Sequence, residues 1–222
     1  MKITLHRALA RVKTTKARLD NIVSGKDLIL VDIYSNKNKV CMASAKNEED
    51  TKKIIQGNWD KFNSLYKELV NLKRAITLSN AGLSKDQYNP LEKLTVCGEK
   101  YTAAEIISLA DVLLYKKRWL LTIKKHYVSV VDKFSKKQEQ INAELDSHIR
   151  MMLGADTKKS DTSVKGFSDM YLEQNGHSLV DPLDLMKKID ALEKEIDAFD
   201  VEADAALSEA NALRTIDIDL VE

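Results

Sequence analysis

The sequence predicts a mainly α-helical protein, an elongated antiparallel bundle or coiled coil with a few short β-strands at one end, formed as a single domain over residues 1–222. Three observations carry this. Two prolines and seven glycines in 222 residues leave few helix breakers. A composition of 44% apolar and 31% charged residues suits long two-faced helices rather than a sandwich or barrel. Apolar residues also recur at spacings of three and four through four long stretches.

The first stretch, about residues 2–23, carries Leu5, Leu9, Val12, Leu19 and Val23 on one stripe. "DLILVDIY" (27–34) is rich in apolar and β-branched residues and predicts a strand. The second helix, about 50–79, aligns Ile55, Phe62, Leu65, Leu69, Leu72 and Ile76. "LTVCGEKYT" predicts a hairpin over about 94–101, turning at Gly98 and feeding the third helix, about 103–153. That helix opens on a capping box of Thr102 and Glu105. Residues 154–181 hold three glycines and no sustained period, so a long loop is expected, with Phe167 and Tyr171 packing part of it down. The fourth helix, about 182–213, starts with Asp181 as cap and Pro182 at the first helical position. Its seam, Leu185, Ile189, Leu192, Ile196, Phe199, Ala203, Ala206, Ala210 and Leu213, is the most regular in the chain and reads as a coiled-coil face. "TIDIDL" (215–220) alternates like a half-buried strand. Asn occurs near the ends of the second and fourth helices, each followed by an extended run, as two strands of one small sheet would require.

The net charge is +1, without the basic excess of a general binder of long nucleic acid. The sum hides an asymmetry: residues 1–40 hold nine Lys/Arg against three Asp/Glu, and residues 182–222 hold four against twelve. Basic and acidic helices are therefore expected to lie against each other. Cys41 and Cys97 are isolated, as in a reducing compartment. The amphipathic start lacks a secretory apolar run, and no stretch approaches 18 apolar residues, so a cytoplasmic protein without a membrane span is expected. No phosphate loop, nucleophile elbow or metal-binding cluster is legible, which points away from catalysis and from cofactors.

The segment that stands out is "LLYKKRWLLTIKKHY" (113–127), with five basic residues and no acid. On a helical wheel, Ile106, Leu109, Ala110, Leu113, Leu120, Leu121, Val128 and Val131 share one face, with Lys117 and Lys124 in its middle. Val112, Trp119, Ile123 and Val130 form a second stripe, so cover from two directions is expected. A buried ammonium is costly, so each lysine must snorkel out, meet a carboxylate of the fourth helix, or line a polar cavity. In the last case Lys117 and Lys124, repeated by symmetry in an oligomer, would hold a phosphate-bearing ligand. Trp119, Tyr115 and Tyr127 would offer stacking surfaces, and Lys165 in the loop would add a contact.

The segments "AITLSNAGLSKDQ…LTVCGEKYTAAEIISL" and "LEKEIDAFDVEADAALSEANALRTIDI" resemble the septicolysin-like family of small helical proteins of bacteria and large phages. The matching positions are Asn80, Tyr101, Thr102, Glu105, Asn211 and Thr215; residues 25–48 and the long loop depart from the pattern. The resemblance implies a helical oligomer and, for a phage-encoded chain, residence in the host cytoplasm. Two functions are expected. The first is a non-enzymatic homo-oligomer that sequesters a small anionic nucleotide, such as a cyclic nucleotide immune messenger. The alternative is a structural or assembly protein joined through coiled-coil seams. A third reading, in which the acidic fourth helix docks on a basic host protein, predicts a salt-sensitive complex.

Overall fold

The computed structural model describes residues 3–80, 93–153 and 162–213. The described part is mainly helical: α1 (Leu5–Val23), α2 (Glu48–Asn80), α3 (Ala103–Leu153), α4 (Thr162–Asn175) and α5 (Leu185–Leu213). The strands are β1 (Asp32–Ser35), β2 (Val40–Cys41), β3 (Leu94–Val96), β4 (Glu99–Tyr101) and β5 (His177–Val180). The chain divides into two compact units. One comprises Met1–Ser24, Phe62–Leu121 and Ile189–Glu222; the other comprises Gly25–Lys61 and Thr122–Lys188. Helices α2, α3 and α5 contribute residues to both.

Helix ends follow from their caps. Thr4 accepts from the Arg7 N–H at 3.4 Å to open α1, and Asn47 accepts from the Asp50 N–H at 2.8 Å to open α2. The predicted capping box forms at α3: the Glu105 N–H donates to Thr102 Oγ1 at 3.0 Å, and the Thr102 N–H donates to Glu105 Oε2 at 2.8 Å. Glu105, itself buried, also accepts from Arg74 at 3.1 Å. The last helix starts at Leu185 rather than directly at Pro182. The Asp181 carboxylate reaches the Leu185 N–H at 2.9 Å, and Asp184 takes a left-handed backbone (φ 51) between them.

In the first unit the core includes Leu19, Phe62, Leu69, Ile106, Val112, Trp119 and Ile196. The β3–β4 hairpin turns through Cys97 (φ 49) and Gly98 (φ 76). Two successive positive φ angles define the two-residue turn whose twist matches its strands. The Cys97 N–H donates to Glu202 of α5 at 2.5 Å, which fixes the hairpin tip.

In the second unit β1 lies between β2 and β5, antiparallel to both, with Tyr34 opposite Cys41 and Ile33 opposite Leu179. Among the described residues the strands form two separate sheets, one in each unit, and the partner expected for the 94–101 run, after the last helix, lies outside those residues. One expectation needs correction. The loop expected over 154–181 contains α4 and β5. Val164 of α4 joins Leu145 and Ile149 of α3, with Phe167, Tyr171 and Leu172 packed against them, so tertiary burial stabilises a helix of weak local propensity. The expected strand 27–34 is paired only from Asp32 onward. Before it, Ile29 O accepts from Asn58 Nδ2 at 3.0 Å and the Leu30 N–H donates to His126, so side chains satisfy the backbone there. The expected strand 215–220 lies outside the described residues, as does Thr215.

Candidate functional site

The basic segment of α3 is best followed residue by residue. In the first unit, Lys116 Nζ pairs with Glu195 and also lies over the Tyr66 ring, 5.0 Å from its centroid. Lys117 Nζ pairs with Asp200 at 2.5 Å and its side chain remains partly exposed. Both partners sit on α5, so Lys117 meets a carboxylate of the acidic last helix, one of the three outcomes expected for it. Arg118 pairs with Asp20 of α1 at 2.7 Å. The Tyr115 hydroxyl donates to the same carboxylate at 3.5 Å, and burial followed by that carboxylate pushes the phenol pKa up.

Trp119 corrects one expectation directly. It is 0% exposed and stacks on Phe62, with ring centroids 4.4 Å apart and planes 11° from parallel. A ring with both faces closed offers no stacking surface to a ligand. Its stripe, Val112, Trp119, Ile123 and Val130, is buried, whereas Leu121 and Val128 of the supposed core face are exposed. In the second unit, Lys124 and Tyr127 are half-buried, and Lys165 is exposed on α4. The structure therefore brings Lys117, Tyr115 and Arg118 to carboxylates of the bundle and removes Trp119 from the surface.

His126 lies beside the second unit's core. Its Nε2 accepts from the Leu30 N–H at 3.2 Å, and burial is the main cause holding its pKa below the ordinary 6.5. His177 is shifted in the same direction, again mainly by burial. A histidine kept neutral when folded contributes stability that is fully present above its unfolded pKa and lost as pH falls toward its folded pKa. The unfolding midpoint should thus fall as pH is lowered below about 6.5. In His126→Gln much of that slope should vanish, which urea titrations at pH 7.5 and 5.5 would check.

Sequence reasoning missed the most distinctive surface feature. Ile107, Leu114 and Leu121 are 63%, 55% and 58% exposed, and they recur every seven residues along the first unit's part of α3. Asp111 and Arg118 fall between them, also exposed. Apolar positions at a, separated by charged positions four residues on, form a narrow, ordered stripe rather than scattered surface leucines. The signal was available in the sequence as an uninterrupted seven-residue period.

Other chemistry is sparse. Among the described residues there is no group of three or more His, Cys, Asp or Glu side chains placed to hold a metal, and no helix long and apolar enough to cross a membrane. No family model, curated protein or solved structure matches the chain.

Proposed function

We propose that this chain is a non-enzymatic helical protein whose work is self-association, with the outer face of α3 as its joint. The observation that carries this is the exposed heptad stripe of Ile107, Leu114 and Leu121. Large apolar side chains in register on one helix lose their unfavourable hydration when a second helix covers them. An assembly or structural role follows from such a joint.

Sequestration of a small phosphate-bearing ligand ranks second. It needs cations and rings available to an anion, and Lys116 and Lys117 are engaged with Glu195 and Asp200 while Trp119 is closed. Tyr127 and Lys165, with a Lys124 that has interactions of its own, would have to carry most of it.

The two readings separate in one experiment. Size-exclusion chromatography with light scattering should give an oligomer for the unchanged chain and a folded monomer for Leu114→Asp, because the carboxylate would be buried at the joint. Incubating the same proteins with cyclic di- and trinucleotides before native mass spectrometry should show no retained ligand. Retention at a fixed ratio, insensitive to Leu114→Asp, would reverse the ranking.

A further inference from the structure

The stripe on α3 carries charge information beyond its apolar period. Between Ile107 and Leu114 stands Asp111, whose side chain is 68% exposed and only 4.0 Å, at closest, from Lys73 Nζ. Between Leu114 and Leu121 stands Arg118, 53% exposed, with one guanidinium nitrogen on Asp20. A guanidinium has five N–H donors, so Arg118 can hold a second carboxylate. Acid therefore precedes the central leucine and base follows it.

From this pattern, and resting on the self-association reading, we propose that the partner is a second copy of this chain docked antiparallel, with the two-fold axis passing at Leu114. In that arrangement Leu114 meets Leu114 of the second copy and Ile107 meets Leu121. Asp111, three residues before the axis, comes level with Arg118 of the second copy, four residues after it. At a rise of 1.5 Å per residue the two charges differ in height by about 1.5 Å, well within side-chain reach. Symmetry supplies the same pair twice.

The alternatives bring like charges together. Parallel pairing in register sets Asp111 on Asp111 and Arg118 on Arg118. An antiparallel axis midway between Leu114 and Leu121 lays Arg118 against Lys117 of the other copy. Moving the axis the other way, between Ile107 and Leu114, leaves Leu121 uncovered. Exposed Val128 extends the stripe, so an axis nearer Leu121 also keeps its apolar rungs, but it sets Arg118 against Lys117 or Lys124 of the second copy. The axis at Leu114 keeps three rungs and opposes unlike charges on both flanks, the arrangement that selects register and direction in helix pairs.

Single cysteines test this in the full chain. Cys97, which is exposed, is first replaced by Ser; Cys41 is buried and stays. In this background Leu114→Cys should form a disulfide-linked dimer under mild oxidation, since facing Cα atoms at a two-fold axis lie about 5 Å apart for helices about 10 Å apart. Leu121→Cys and Ile107→Cys should stay unlinked alone, because each pair of identical positions is about 21 Å apart along the axis. Mixed together, those two variants should link to each other. Asp111→Arg should weaken the dimer about tenfold by facing two guanidinium groups. Equal linking of all three single variants would overturn the proposal in favour of parallel pairing. A dimer in solution that links neither in Leu114→Cys nor in the mixture would overturn the arrangement while leaving self-association intact. A monomer under all conditions would remove both.

Discussion

Replacing Trp119 by Ala should destabilise the protein by about 3–5 kcal/mol, read as a lower urea midpoint with little change in slope. The indole is fully buried on α3 and lies flat on Phe62 of α2. Removing it leaves a void that rigid helices cannot close, and it deletes an offset aromatic stack. Trp119→Phe should cost much less, because a ring still fills most of the volume. If Trp119→Ala lowered ligand retention or oligomer affinity while leaving stability unchanged, the indole would be a surface group and the placement of α3 would be wrong.

Asp32→Ala should cost about 3 kcal/mol or more, in the second unit. This buried carboxylate accepts from the N–H groups of Ile33 at 2.7 Å, Ala43 at 2.9 Å and Ser44 at 2.8 Å. It organises the turn that follows β2, where Ser44 in turn meets Thr51 of α2 at 2.7 Å. Alanine leaves two distant amides, whose bonds to Asp32 are part-buried, without their acceptor. Asp32→Asn keeps one acceptor oxygen and should recover part of the loss. Amide exchange at Ala43 and Ser44 gives the local readout; unchanged protection in Asp32→Ala would contradict this role.

How much of this was legible in the sequence varies by element, and the reasons are physical. Most of the seam of α5 could be read, because its apolar residues repeat at three and four, and Leu185, Ile189, Leu192, Ile196, Ala203 and Ala210 are buried while Phe199 and Ala206 are half-buried. The capping box at Thr102 and Glu105 was equally clear, being local in sequence. Helix α4 was not, since Gly166 and a short length give it weak propensity and its stability comes from Leu145 and Ile149 on another helix.

On α3 the apolar residues cover an arc wider than one neighbour can bury. Leu120 is buried and Leu121 exposed, although both fitted one broad face on the wheel. Which edge of that arc is covered depends on the placement of α1, α2 and α5, which periodicity does not encode. The same limit governs Lys117. Its ion pair with Asp200 depends on the register of α5 against α3, so charge asymmetry could suggest the partner helix but not the partner residue.

Self-association through the stripe of Ile107, Leu114 and Leu121 is the central claim. Sedimentation equilibrium of the unchanged chain, run from low to high micromolar concentration beside Leu114→Asp, tests it most directly. A joint at this stripe predicts twice the monomer mass for the unchanged chain and the monomer mass for the variant, with both equally helical by circular dichroism. A monomer mass for the unchanged chain throughout, or a dimer that Leu114→Asp leaves intact, would contradict it.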